Sequence, residues 1–152
     1  MKVSEIMTTE VVAVTPSTSV QEAARLMRDA DIGDVLIAEE GRPLGILTDR
    51  DVAVRVVARG LNPSQARVGD FMSTNLFTGS PNQDVEEAAD LMGEQQIRRL
   101  PIVENGRLVG IVSLGDIAVD MEAAGIEAHS PAGEALEDIS KPAEPRLEAI
   151  HM

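Results

Sequence analysis

Sliding the sequence along itself by 65 positions aligns residues 3–53 with residues 68–118 without a gap, and roughly 19 of the 51 pairs are identical. Matched identities include Met7 with Met72, Pro16 with Pro81, Val20 with Val85, Ala23-Ala24 with Ala88-Ala89, and Leu26-Met27 with Leu91-Met92. Further along, Ile32 matches Ile97, Gly41-Arg42 matches Gly106-Arg107, Gly45-Ile46 matches Gly110-Ile111 and Asp51 matches Asp116. The chain is a duplication, so both halves must fold alike. A unit of this size buries too small a share of its surface to be stable alone. Two copies packed sheet to sheet about an approximate two-fold axis answer that problem. The same argument, applied to helix faces left exposed, points to a homodimer.

Each copy carries the same succession of local signals. A short apolar strand at residues 11–14 ends at Thr15-Pro16, and its counterpart at residues 76–78 ends at Ser80-Pro81. Ser19-x-x-Glu22 and Asp84-x-x-Glu87 are reciprocal helix-start patterns. Apolar residues then recur at helical spacing: Val20, Ala23, Ala24 and Met27, and Val85, Ala88, Ala89 and Met92. Residues 35–38 and 100–103 are nearly continuous apolar runs, as expected of strands covered on both faces. Asn105-Gly106 favours a type I′ hairpin into the next strand, residues 108–112, matched by 44–47. A second helix opens at Thr48 or Ser113. The fold class is therefore α/β (α+β), two repeats of strand, helix, strand, strand, helix. The expected division is residues 1–60 and 68–121 for the copies, a linker at 61–67, and an Ala/Glu/Pro-rich tail at 122–152. Residues 133–139 of that tail suit a short helix, and Lys141-Pro142-Ala143-Glu144-Pro145 suits an extended, mobile end.

Composition removes several classes of function. There is no cysteine, which excludes disulfides, thiolate zinc sites and cysteine nucleophiles and suits a reducing cytoplasm. The two histidines, His129 and His151, lie in the tail, so a histidine-based catalytic centre or metal site inside the repeats is not expected. A net charge of −13 opposes binding to nucleic acid and to anionic membranes. Aromatic platforms for single-stranded bases are nearly absent, Phe71 and Phe77 being the only aromatic side chains. Met7, Met27, Met72 and Met92 recur at matched positions and read as core filler.

The repeated element with chemical content is Gly45-Ile46-Leu47-Thr48-Asp49-Arg50-Asp51, mirrored by Gly110-Ile111-Val112-Ser113-Leu114-Gly115-Asp116. Two readings fit Thr48/Asp51 and Ser113/Asp116. One is a helix cap that needs no ligand. The other adds a ligand: a carboxylate one turn into a helix can accept hydrogen bonds from the two hydroxyls of a ribose. Free N–H groups at the helix start would favour a phosphate, and the glycine would let a ligand approach the backbone.

Strand, glycine, two apolar residues, Thr or Ser, then Asp three positions on resembles the ligand-binding motif of cystathionine-β-synthase (CBS) domains. The resemblance covers residues 1 to about 120, with the same element order. It implies a Bateman module, a regulatory pair that binds adenosine-containing ligands (AMP, ADP, ATP, S-adenosylmethionine, sometimes NAD) in clefts between the copies. Ile97-Arg98-Arg99-Leu100-Pro101 resembles the stretch that supplies phosphate-facing arginines in nucleotide-binding members. The first copy has Gly33-Asp34 there, and Arg50 before Asp51 has Gly115 as its counterpart, so the two clefts are not equivalent. The Ser113/Asp116 cleft with Arg98 and Arg99 is expected to be the better phosphate site. Thr15, Ser80, Ile32 and Ile97 are the positions the resemblance assigns to the adenine.

These readings converge on a stand-alone adenine-nucleotide sensor, requiring no cofactor, that signals to a separate protein. The alternative is a ligand-free homodimeric docking module. Catalysis is disfavoured: the repeats hold no histidine or cysteine, and no phosphate-cradling Gly-Lys loop is present.

Overall fold

The computed structural model describes residues 1–123; the expectations for residues 133–139 and 141–145 lie outside the described residues. In the first copy, β1 (Ala13–Val14) leads to α1 (Val20–Ala30), then β2 (Asp34–Glu39), β3 (Arg42–Thr48) and α2 (Asp49–Asp51), which runs into a π-helical segment, Val52–Val57. In the second copy, α3 (Val68–Phe71) is followed by α4 (Val85–Gln95), β4 (Arg99–Glu104), β5 (Arg107–Ser113) and α5 (Leu114–Ala123). Among the described residues no helix is long and apolar enough to cross a membrane.

Of the two reciprocal helix-start patterns, only the Ser19 half of the first forms. Ser19 caps α1 by accepting a hydrogen bond from the Glu22 N–H at 3.1 Å. Asp84 makes no such cap; its carboxylate is drawn to Lys2 at 3.0 Å instead. Both helices end on a left-handed residue, Asp31 (φ 54°) and Gln96 (φ 56°). That turn closes with N–H donation from Ile32 to Met27 and from Ile97 to Met92, both at 3.0 Å. The hairpins β2–β3 and β4–β5 turn on Glu40-Gly41 and Asn105-Gly106, all four at positive φ, the signature of the type I′ turn.

One expected strand is missing. β1 pairs in parallel with β2 through Ala13 with Leu36 and Val14 with Ile37, but residues 76–78 form no strand, and the contact shrinks to a bridge between Gly79 and Ile102. The counterpart of Leu36 is Pro101, which has no N–H to donate into a ladder. Gly79 still donates to the Pro101 carbonyl at 2.9 Å.

The copies are interlocked. Thr8 and Ile111 exchange both backbone hydrogen bonds at 2.9 Å, and the matched residues Ser73 and Ile46 do the same at 2.8 and 3.0 Å. Each copy thus sends its opening segment across to the other copy's last strand. Val3 is fully buried with Val85, Met92, Leu100, Ile102 and Val112 of the second copy, and Val68 with Val20, Val35, Ile37, Leu47 and Val56 of the first. A fully buried valine contributes about 1.5–3 kcal/mol, so each core is completed by a side chain of the other copy.

The glycine that precedes each Thr/Ser serves this crossing. A Cβ on Gly45 would fall 2.6 Å from the Ser73 carbonyl oxygen and 2.8 Å from Met72 Sδ; on Gly110 it would fall 2.6 Å from Met7 Sδ and 3.1 Å from the Thr8 carbonyl oxygen. The expectation that these glycines admit a ligand is corrected: they admit the partner copy's backbone.

Candidate functional site

Crossing the segments leaves clefts on either side of the approximate two-fold axis. An open cavity of about 1000 Å³ lies where α1's end, β3's end, residues 75–77 and the start of β4 meet. Its walls include Ile32, Asp34, Thr48, Arg50, Asn75, Phe77, Ile97, Arg98, Arg99 and Ser113. A smaller cavity of about 230 Å³ is lined by Thr8, Glu10, Val12, Ile111 and Asp116, and shares Ile32, Asp34, Ile46, Arg99, Pro101 and Ser113 with the larger one. Alternate residues of the extended strap (Thr8, Glu10, Val12) face the smaller cavity, as the two-residue period of an extended chain requires. Asn75 and Phe77 are the matched residues on the larger one.

The two motif aspartates behave differently. Asp51 is locked in a reciprocal cap: its carboxylate accepts from the Thr48 N–H at 2.9 Å, while its own N–H donates to Thr48 Oγ1 at 3.1 Å. It lines neither cavity. Among the described residues Asp116 only donates its N–H to Ser113 Oγ, at 3.1 Å, and it lines the smaller cavity. The helix-start N–H groups of the first copy are also taken: Asp49 donates to the Gly33 carbonyl at 2.9 Å and Arg50 to Asp49 Oδ1 at 2.8 Å. In the second copy Leu114 donates to the Arg98 carbonyl at 2.9 Å. Hence the expected free N–H groups at Thr48 are absent, because the cap and the preceding turn consume them.

The arginines are distributed otherwise than the sequence implied. Arg98 faces the larger cavity, which Thr48 and Ser113 both line, and does not line the one that holds Asp116. Arg99 faces both but is engaged, its Nε 3.3 Å from Asp34 Oδ1. Arg50 and Arg98 are exposed on the rim of the larger cavity. Burial holds the Asp34 carboxyl above its usual range, with Arg99 opposing and Asp49 reinforcing the rise. In the smaller cavity Glu10, Asp34 and Asp116 face, among the described residues, a single cation, Arg99. That balance disfavours phosphate in the smaller cavity, and Arg98, expected beside Asp116, does not line it.

Ile32 lines both cavities and Ile97 the larger one. Thr15 and Ser80 are exposed and line neither. Thr15 Oγ1 lies 3.2 Å from Ser17 Oγ and 3.3 Å from Thr18 Oγ1 in the turn before α1, and the Ser80 N–H donates to Gln83 Oε1 at 3.4 Å. Sequence reasoning missed Phe77, whose signal was available: it stands at Val12's matched position, on an extended segment, as one of only two aromatic residues.

The CBS domain family model matches residues 3–58 and 68–122, and the chain belongs to that family. The CBS domain-containing protein YhcV of Bacillus subtilis is 46% identical over 138 residues, covering 91% of this chain and 94% of the relative. A structure of Hypoxic Response Protein I with two coordinated zinc ions superposes with a TM-score of 0.72 at 35% identity, covering 78% of this chain and 98% of the other. A structure of CBSX2 in complex with AMP gives 0.71 at 25% identity, with 82% and 98% covered. This chain has no cysteine, and among the described residues no group of three or more His, Asp or Glu side chains could hold a metal ion. The chain is thus a tandem CBS pair, a regulatory module.

Proposed function

We propose that this CBS pair senses an adenosine-containing ligand of the AMP/ADP/ATP class in the larger cavity and reports its level to a separate protein. The observation that carries the reading is the pairing, on one cavity of about 1000 Å³, of an apolar wall (Phe77, Ile97, Ile32) with two exposed guanidiniums, Arg98 and Arg50. That volume suits a nucleotide. The Phe77 ring offers the base a face to stack on, worth about 1–3 kcal/mol for aromatic–base contacts. Arg98 and Arg50 offer forked donors to phosphate oxygens, and the Thr48 and Ser113 hydroxyls lie beside them to meet a ribose. The AMP complex of CBSX2 supports the ligand class. Ligand binding shifts the module only as far as it prefers one arrangement of the copies. Val54 and Val57 of the first copy, Leu61 of the linker that follows it and Val119, the match of Val54, expose apolar surface, which a second copy of the chain would cover.

The test is a melting curve of the protein with AMP. A ligand at a hundred times its dissociation constant adds about 2.7 kcal/mol. Arg98→Ala and Phe77→Ala should each weaken binding about tenfold or more. If no adenosine compound raises the melting temperature, the docking-module alternative takes its place.

A further inference from the structure

A cavity built for a highly charged anion presents cations that lack counterions of their own. Here the guanidinium nearest the approximate two-fold axis already has one. Asp34 and Arg99 stand at matched positions of the repeat, so the axis brings each against the other's counterpart; their side chains are 19% and 30% exposed, and both line both cavities. The larger cavity is therefore split by charge. The first copy contributes Asp31, Asp34 and Asp49, the second Arg98 and Arg99, and Arg50 is the one cation of the first copy on that wall. Three carboxylates face three guanidiniums, and the formal charge cancels.

Resting on the nucleotide reading above, we propose that Asp34 sets the charge of the ligand: by holding Arg99 it limits the cavity to an adenosine ligand with one phosphate and disfavours di- and triphosphates. A phosphate monoester carries about −1.5 to −2 at neutral pH, which Arg98 and Arg50 match. Each further phosphate adds negative charge, and among the described residues no further cation lines the cavity to meet it. It would also lie against Asp31, Asp34 and Asp49, on a chain of net charge −13 that offers no relief. Asp34 is already a poorly compensated carboxylate, since its burial outweighs the nearby guanidinium and Asp49 adds like charge. A second anion beside it must either displace it from Arg99 or force it to take up a proton.

The experiment is calorimetric titration of adenosine, AMP, ADP and ATP into the full chain and into Asp34→Asn, at one pH and ionic strength, without divalent cations. The wild type is expected to bind AMP about tenfold or more tightly than ATP. Asp34→Asn should tighten ATP by about tenfold more than AMP, and leave adenosine unchanged. Asp49→Asn, on an exposed residue of the same wall, should act in the same direction with a smaller change and guards against a folding defect in the first variant. Equal or tighter binding of ATP than AMP by the wild type overturns the proposal, as does an unaltered AMP/ATP ratio in both variants; the nucleotide reading survives either result. Absence of binding for all four compounds to all three proteins brings down the nucleotide reading itself, and this inference with it.

Discussion

The two copies bury matched side chains but carry opposite charge where they meet. Val20 and Val85, Ala23 and Ala88, Met27 and Met92, Val35 and Leu100, Ile37 and Ile102, and Leu47 and Val112 are all buried. At the cleft, by contrast, Gly33, Asp34, Asp49 and Arg50 stand opposite Arg98, Arg99, Leu114 and Gly115. Core positions answer to packing against the same crossing segments, and a changed volume is felt at once. Of the cleft positions only Leu114 belongs to a core; the others are free of that packing demand. The difference teaches that pseudo-symmetry of fold here supports two cavities with differently charged walls, not two equal copies of one site.

Breaking the symmetry of the crossing should have the largest effect. At Gly45 an added methyl meets a backbone carbonyl that is held in the Ile46–Ser73 pair; at Gly110 the nearest atom is the end of the flexible Met7 side chain. Overpacking costs about 1–3 kcal/mol. Gly45→Ala is expected at the upper end, near 3 kcal/mol, and Gly110→Ala near 1 kcal/mol, as measured by denaturant unfolding. Equal losses would mean that the strap over β5 is as rigid as the strap over β3.

The next contrast is between the motif aspartates. Asp51→Ala removes an acceptor that satisfies the Thr48 N–H, and losing a cap of this kind costs about 1 kcal/mol. Asp116→Ala removes a carboxylate with no hydrogen bond among the described residues and should stay within about 0.5 kcal/mol. The same unfolding curves decide it. A larger loss at Asp116 would show that its carboxylate has structural work the first copy gives to Asp51.

Much of this was legible because the signals are local. Helical spacing from Val20 and Val85, the Asn105-Gly106 turn and the apolar runs of β2 and β4 depend on neighbours a few residues away. The crossing was not legible, since residues 1–8 and 66–73 carry no periodicity and their partners lie in the other copy. Pro101 marked the weakness of the second copy's first strand, but only once its position opposite Gly79 was known. For the site, residue types were readable and their sharing was not. Thr48, Ser113, Ile32, Ile97, Arg98 and Arg99 do line the clefts, yet which cleft each serves depends on the two-fold axis. The Asp34–Arg99 pair follows from the same axis: matched residues close to it must meet.

That pair yields the subtlest test of the asymmetry, one that needs no ligand. The folded-state pKa of Asp34 lies above its unfolded value, mainly through burial, with Arg99 opposing. Between those two values the folded chain holds a proton that the unfolded chain has released. Stability from this group is therefore present in full below the unfolded pKa and declines as pH rises through the folded one. Ionised Asp34 thus costs stability at neutral pH. Asp34→Asn keeps the shape without the charge, so it should match or exceed the wild type at pH 7, and the wild type should gain on it as pH falls toward the unfolded value near 3.8. Melting temperatures of the two proteins across pH 4–7 measure this directly. A wild type that instead loses ground to Asp34→Asn on acidification would mean that attraction to Arg99 outweighs burial, making the pair a net stabiliser that the second copy's arginine requires.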